Sequence, residues 1–139
     1  MFAYPALLRD NKEGGFIVSF RDVPEAITEI WSLEELQNTA VDALVTMLEM
    51  YFEKNKIFPE PSKPKKNEVM VQLPLIVVAK MLLLNVMVSG NIRPCDLARK
   101  MNVKPQEVNR IINLQHNTKI DTVDLAMKAL GKNLQLTVV

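Results

Sequence analysis

The chain has 139 residues, 48% hydrophobic and 24% charged, a balance typical of a soluble globular protein with one ordinary domain or two very small ones. Its formal net charge of +1 excludes a strong overall attraction to polyanions. That total hides a split, because residues 1–73 carry 8 basic and 12 acidic side chains (net −4), whereas residues 74–139 carry 9 basic and 4 acidic side chains (net +5). Chance placement of surface charge can give such a split, but it is also a reason to look for nucleic-acid binding in the second half.

Cysteine content and hydropathy indicate where the protein works. Cys95 is the sole cysteine, so no intramolecular disulfide can form and a reducing compartment, the cytoplasm, is expected. Residues 1–8 lack the basic start and the long apolar core of a secretory signal. The most apolar stretch, Leu73–Val88, is broken by Lys80 and Asn85 and is shorter than the ~20 residues that cross a bilayer. We interpret it as a buried helix and expect no membrane partner.

The first residues have the pattern of a β-hairpin. Apolar residues alternate over residues 2–8 and again over Phe16–Phe20, which predicts two strands joined by the polar, glycine-containing turn Asp10–Gly15. Because Pro5 has no amide hydrogen, the first strand is expected at a sheet edge or with Pro5 facing outward. A short third strand is predicted near Ala26–Ile30.

A helix follows the strands, with clear signals at its start. Ser32 and Glu35 have the spacing of a capping box, and Trp31 ahead of the cap can pack on Leu36 as a hydrophobic staple. Apolar residues then recur at helical spacing to about Lys54. This helix is expected to cover one face of the strands.

A proline-rich segment and one more strand complete the first domain. Residues 55–67 contain three prolines and are interpreted as a loop. Alternation over Glu68–Leu73 predicts a further strand. We therefore place the domain boundary near Leu73–Pro74, so that residues 1–73 form a small α+β unit in the order β-β-β-α-β.

The pattern of residues 74–139 is helical. Leu75–Ser89 is apolar nearly all round, so it must be covered on most faces, and pairing with a second copy is one way for a small domain to achieve this. Residues 134–139 are expected to form a terminal strand or extension. Three further helices are predicted, at about 94–101, 105–114 and 121–130.

Residues Cys95–Arg110 have the pattern of a helix-turn-helix. The motif needs a small residue where its two helices cross, and Ala98 supplies it. Four residues later the turn needs a residue that tolerates a left-handed backbone, for which Asn102 is the best choice after glycine. Pro105 suits the first turn of the next helix, and Val108 is expected to point inward.

The side chains left on the outside of the second helix are of the types that read DNA. Arginine pairs with guanine and asparagine or glutamine with adenine, while nearby cations suit phosphates. A plain helical bundle with a polar face is the alternative interpretation. The candidate DNA-binding residues are Lys104, Gln106, Asn109 and Arg110, with Arg99, Lys100 and Lys119 as phosphate contacts.

No pattern in the sequence predicts catalysis, a cofactor or a metal site. His116 and Cys95 are the only residues of their kinds, which is too few for zinc. Gly14–Gly15 belongs to the hairpin turn rather than to a phosphate-binding loop. Four loop acids are interpreted as solvated side chains, because their spacing does not demand a metal ion: Asp10, Glu13, Asp22 and Glu25.

Short motifs along the whole chain form a recognisable set. In the first half they are Tyr4-Pro5, Gly14-Gly15-Phe16, Val18-Ser19-Phe20, Asp22-Val23-Pro24-Glu25-Ala26, Thr28, the helix from Ser32 through Ala43-Leu44, and Pro59-Glu60-Pro61-Ser62. In the second half they are Leu82-Leu83-Leu84-Asn85, Leu97-Ala98-Arg99, Lys119-Ile120-Asp121 and Ala129-Leu130-Gly131-Lys132. These motifs resemble those of the HicB family of bacterial antitoxins. The family often has glycine where Ile30 stands, so the turn there is expected to differ.

This resemblance implies a fold, two partners and a non-enzymatic function. The first domain would be a partial RNase H-like unit without catalytic acids, and the second a Cro/repressor-like helix-turn-helix domain. The partners would be a HicA-type toxin, which is a small basic ribonuclease that cuts mRNA, and the double-stranded operator DNA of the pair's own operon. An acidic first half suits a basic toxin, and a basic second half suits DNA.

Assembly and alternatives remain open at this point. A homo-oligomer, either a dimer or a dimer of dimers, is expected, whereas the toxin-binding residues are not predicted. A ligand-sensing transcriptional repressor is one alternative function. An RNase H-like nuclease is the other, because the implied fold is related to nucleases.

Overall fold

The computed structural model describes residues 2–139, which form a four-stranded antiparallel sheet followed by a group of helices. The order of elements agrees with the predicted α+β arrangement. The strands are β1 (Ala3–Asp10), β2 (Phe16–Phe20), β3 (Ile27–Ile30) and β4 (Glu68–Gln72), in the sheet order β3-β2-β1-β4. The helices are α1 (Leu36–Glu53), α2 (Leu75–Ser89), α3 (Pro94–Met101), α4 (Pro105–Ile112) and α5 (Ile120–Ala129).

Strand β1 lies inside the sheet, so the expectation that Pro5 marks an edge strand or faces outward is wrong. β1 pairs with β4 from Ala3 to Leu7, but with β2 only from Ala6 to Asp10. The missing amide hydrogen of Pro5 therefore removes no bond to β2. Pro5 is buried.

The hairpin between β1 and β2 requires asparagine and glycine for separate reasons. Asn11 Oδ1 accepts the amide hydrogens of Glu13 and Gly15, each at 2.9 Å. A Cβ atom on Gly15 would lie 2.5 Å from the carbonyl oxygen of Ile30, so this close approach to β3 excludes any side chain. Ile30 itself is the last residue of β3 and is fully buried.

The predicted capping box at the start of α1 is formed only in part. The carboxylate of Glu35 accepts the amide hydrogen of Trp31 at 3.0 Å, and Ser32 makes no side-chain cap. One 3-10 turn, Leu33–Glu35, precedes α1. Helix α1 contacts β3 and β4, as expected for a helix that covers the sheet. Its buried residues are Ala40, Leu44, Val45 and Leu48.

The proline-rich loop between α1 and β4 is fixed to the sheet by side chains. The hydroxyl of Tyr4 donates to the carbonyl oxygen of Pro59 at 2.7 Å, and burial raises the pKa of Tyr4. The amide and the hydroxyl of Ser62 donate to the carboxylate of Asp22 at 2.8 and 2.6 Å. This loop belongs to the sheet unit, as the sequence predicts.

Helix α2 is covered mainly by its own chain. It contacts α1, α4 and α5, which explains an apolar sequence on nearly every face without a second copy. Leu75 and Leu82 remain 52% and 39% exposed. Gly90 is the C-cap of α2, and the left-handed residue is the following Asn91, with φ 53°.

The two halves of the chain touch each other. Helix α1 packs against α2, and the amide of Phe58 donates to Asn85 Oδ1 at 3.0 Å. Gln115 Nε2 donates to the carboxylate of Glu49 at 3.0 Å. The change from sheet to helix near residues 73–74 is visible in the fold, while the division into two independent domains stays a prediction.

The C-terminal end differs slightly from expectation. Helix α5 begins at Ile120 with Lys119 as its N-cap, one residue before the predicted start. Residues 132–139 form an extension without regular structure. Within residues 2–139, no single helix has both the length and the apolar character needed to span a membrane. Helices α2 and α3 reach that length only together, and they are bent by 107°.

Candidate nucleic-acid interface

Helices α3 and α4 are joined by a tight turn that depends on Asn102. This residue has φ 56° and ψ 48°, so the predicted left-handed backbone is confirmed. The amide of Asn102 donates to the carbonyl of Arg99 at 3.2 Å, and the amide of Val103 donates to the carbonyl of Ala98 at 3.1 Å. These bonds satisfy carbonyls at the end of α3 and turn the chain into α4.

Buried side chains fix how α4 lies on the helices around it. Val108 is fully buried and Ile111 is 3% exposed, while Ala98 on α3 is 5% exposed. Pro105 occupies the first turn of α4, where its missing amide hydrogen is harmless. No side chain caps this end of α4 and residues 104–106 are exposed, so the positive end of the helix dipole faces solvent.

Every candidate DNA-binding residue is exposed, and most of them belong to α4 or its borders. Gln106, Asn109 and Arg110 lie on α4, and Lys104 is its N-cap. The candidate phosphate contacts are more dispersed. Arg99 and Lys100 lie in the last turn of α3, and Lys119 is the N-cap of α5.

Ion pairs separate Arg99 from the other candidates. The guanidinium of Arg99 pairs with Asp96, whose carboxylate also accepts from Arg93 Nε at 3.2 Å. The hydrogen bond from Arg93 lowers the pKa of Asp96 to about 2. Within residues 2–139 no ion pair engages Lys104 or Arg110. Lys104 and Arg110 are therefore available to a polyanion.

The positions of Asn109 and Arg93 bear on how far the candidate DNA-binding surface extends. Asn109 lines a groove of about 500 Å³ that also contains Glu49 and Glu53 of α1, so it lies at the margin where acidic residues begin. Arg93, at the N-cap of α3, has a side chain 69% exposed. The sequence predicted the helix start at Pro94 but did not single out Arg93 as a candidate residue.

Lys80 was likewise not predicted to have a functional role. It is fully buried, and its Nζ donates to the carbonyl oxygens of Arg110, Asn113 and His116 at 3.2, 2.8 and 2.6 Å. Burial lowers the pKa of Lys80 to about 8. The only sequence signal is that Lys80 is the one charged residue in α2.

Three of the four loop acids considered for a metal site have other partners. Asp22 accepts from Ser62, and Glu25 accepts from the hydroxyl of Tyr51 at 2.9 Å. Asp10 Oδ1 accepts the amide of its own turn at 2.7 Å. In the described part of the chain, no group of three or more His, Cys, Asp or Glu side chains is placed to hold a metal ion.

Comparison with known proteins gives a consistent result. Residues 3–82 match a family described as a HicB-like antitoxin of bacterial toxin–antitoxin systems. The chain is similar to antitoxin HicB of Escherichia coli (strain K12), with 44% identity over 136 residues, 98% of this chain and 99% of that protein. Antitoxin HicB 1 of Photorhabdus laumondii is 43% identical over 135 residues, 97% of this chain and 86% of that protein. Antitoxin HicB of Pseudomonas fluorescens (strain Pf0-1) is 29% identical over 139 residues, 99% of this chain and 94% of that protein.

Proposed function

The chain belongs to the HicB antitoxin family of bacterial toxin–antitoxin systems, and from this we propose that it is a non-enzymatic inhibitor and transcriptional repressor. Residues 1–73 bind and neutralise a HicA-type mRNA-cleaving toxin. Residues 74–139 bind the operator of the chain's own operon through a helix-turn-helix formed by α3 and α4.

The observation that carries the DNA-binding proposal is the turn at Asn102 together with the unpaired cations that follow it. Gln106 and Arg110 lie four residues apart, one turn of α4, and both are exposed, so they can reach base edges in one major groove. Lys104 and Lys119 flank this helix and suit phosphates. The turn orients α4, and the cations provide affinity.

An inhibitory function for the first half is supported by its charge and by what its acids contact. The net charge of −4 over residues 1–73 suits a basic protein partner. We propose a partial RNase H-like fold for this unit. In place of a catalytic cluster, Asp22 and Glu25 serve as hydrogen-bond acceptors for Ser62 and Tyr51. These contacts favour an inhibitor over a nuclease.

We further propose that a dimer binds the operator. Two copies of α4 would read half-sites about one helical turn apart, so the operator should be an inverted repeat. A groove of about 700 Å³ beside α2 is lined by Leu82, Val86, Leu130 and Leu134, which supports an apolar contact with a second copy. Sedimentation that gives a monomer at operator-binding concentrations would contradict this assembly.

The proposed function is tested by two assays on the full chain. Binding to a duplex from upstream of the chain's own operon is measured at several salt concentrations, with a shuffled duplex as control. Rescue of growth from an induced HicA-type toxin is measured in cells. Specific binding and rescue are expected together.

A second assay separates the nuclease alternative. We expect RNA, DNA and RNA–DNA hybrid to stay intact with Mg²⁺ or Mn²⁺. Cleavage that disappears in Asp22→Asn would restore a nuclease function. Genomic context distinguishes the ligand-sensing repressor from the antitoxin. A neighbouring reading frame for a short basic protein favours the antitoxin.

A further inference from the structure

We propose that Lys80 is a positioning residue for DNA recognition: its buried ammonium, carried on α2, fixes the C-terminal end of α4 and the loop that follows. The inference rests on the proposed function of α4. It adds a residue that touches no DNA and yet determines where the DNA-reading side chains lie.

The geometry matches three donors to three acceptors. Nζ of Lys80 lies 3.2 Å from the carbonyl oxygen of Arg110, 2.8 Å from that of Asn113 and 2.6 Å from that of His116. An ammonium has three N–H donors and no acceptor, so all of them are used. Carbonyls at a helix end lack intrahelical partners, and a cation is favoured there.

One of the three acceptors belongs to a proposed DNA-contacting residue. The side chain of Arg110 is exposed for base contact, while its own carbonyl oxygen is held by Lys80. The hydroxyl of Thr118 reaches the same carbonyl at 3.5 Å, a longer contact. The position of Arg110 therefore depends on α2, a helix outside the α3–α4 pair.

The positions next to Lys80 in α2 are apolar, so the lysine is there for its ammonium group. Both neighbours along the chain, Ala79 and Met81, are buried and apolar. Burying a charge is costly, and a methionine of similar length would fill the space without that cost, but it would leave the three carbonyl oxygens without this donor. What an apolar side chain cannot reproduce is the fixed arrangement of three carbonyl oxygens.

The charges around Lys80 are few. Glu49 of α1 faces it, and the negative charge of Glu49 opposes the effect of burial, which lowers the pKa of Lys80 to about 8. Helix α4 and the following loop present the carbonyls of Arg110 and His116, whose side chains are exposed. Helix α2 has no other charged residue. The charged residues of α5, which also packs on α2, are Asp121, Asp124 and Lys128, the last two paired at 2.9 Å.

This environment makes folding and DNA binding respond oppositely to pH. Above about pH 8 Lys80 loses a proton, and a neutral amine with two N–H groups cannot serve three carbonyls. The pKa in the folded state lies below the ordinary value of 10.5, so the neutral amine favours the fold, and the contribution of this group to stability rises between about pH 8 and 10.5. Operator affinity should fall over the same range.

The experiment compares Lys80→Met with the parent chain, both carrying Cys95→Ser so that the exposed thiol does not contribute. Thermal unfolding and binding to the upstream duplex are measured at pH 7 and pH 9. Lys80→Met removes the cost of a buried charge but leaves three carbonyl oxygens without their donor, so it should stay folded at the assay temperature and bind about tenfold more weakly than the parent at pH 7, as for one lost base contact. Its affinity should not change at pH 9, whereas the parent's should fall towards it.

The matched control is Leu83→Met, a change at another fully buried position of α2. It should leave binding and its pH profile unchanged. A folded Lys80→Met that binds like the parent would overturn the proposal. Should that variant not fold, the parent's pH profile decides: a fall in affinity without a lower melting temperature supports Lys80, and constant affinity to pH 9 overturns it. A parent chain that binds no upstream DNA at any pH instead refutes the proposed function.

Discussion

The two halves of the molecule differ in fold and in the sign of their net charge, although both contain ion pairs. In the first half, with a net charge of −4, Asp22 accepts from Ser62, and Glu68 pairs with Arg21 at 2.9 Å. In the second half, with a net charge of +5, Asp96 pairs with Arg93 and Arg99, whereas within the described residues Arg110 has no ion pair. Net charges of opposite sign suit two different partners. The residue types exposed on α4 make a candidate DNA-binding surface easier to propose than a toxin-binding surface.

The largest effect is expected from truncation, which asks whether the halves can be separated. A chain that ends at Leu73 keeps β4 and should rescue cells from the toxin. A chain that ends at Asn67 loses the partner of β1 over Ala3–Leu7 and the buried side chain of Val71, so it should not fold or rescue. Growth assays and circular dichroism measure both. Failure of a folded 1–73 fragment to rescue would show that the toxin contacts the second half.

Buried charges placed in each half should give the next largest effects. Val108 and Leu44 are both fully buried, so Val108→Asp and Leu44→Asp should each destabilise their half by about 3 kcal/mol or more. Val108→Asp should abolish operator binding and keep toxin rescue, while Leu44→Asp should do the opposite. Thermal unfolding with both assays tests this. The control Asn109→Asp places the same charge on the exposed side of α4 and should leave the fold intact.

The contact between α1 and α2 makes this pair of variants informative. If either variant loses both activities, the halves fold as one cooperative unit and the proposed boundary near residues 73–74 is wrong.

A smaller effect should distinguish two kinds of contact within the second half. Arg110→Ala should weaken specific binding by about 1–3 kcal/mol and relax preference at one base position. Lys119→Ala should weaken binding to every sequence alike and reduce the salt slope by about 1. Titrations at several salt concentrations with permuted duplexes separate the two. Equal losses on all sequences for both variants would remove Arg110 from base recognition.

The smallest effect concerns the start of α3. Hydrogen bonds from Arg93 lower the pKa of Asp96 from 3.8 to about 2, so the stabilisation is present above pH 3.8 and is lost as the pH falls through about 2. Asp96→Asn should melt at a lower temperature than the parent above pH 3.8. This difference in melting temperature should shrink as the pH is lowered towards 2. A difference that stays constant down to pH 2 would contradict this assignment.

The sequence was most informative where local rules determine the structure. Periodicity located the strands and helices, and the preference of asparagine for left-handed backbone located the turn at Asn102. The order of strands in the sheet is not local, and so Pro5 pointed to an edge when β1 in fact lies inside the sheet. Ser32 has the residue type of a cap, but only Glu35 forms its half of the box.

The contacts of Lys80 were not predictable, because its partners are backbone carbonyls about 30 residues away, which carry no sequence signature. The exposure of the candidate DNA-binding residues, in contrast, followed from helical spacing alone. A toxin-binding surface had no such signal, because the acidic residues of the first half occur in turns, in strands and in helix α1 alike.

The central claim is that the two activities belong to different halves, and Arg110→Ala in the full chain tests it most directly. Operator binding and rescue from the toxin are measured side by side, with the parent chain as reference. The account predicts weaker operator binding with undiminished rescue, because Arg110 is exposed on α4 and, within the described residues, forms no ion pair with the acidic half. Normal operator binding by this variant, or loss of rescue, would contradict it.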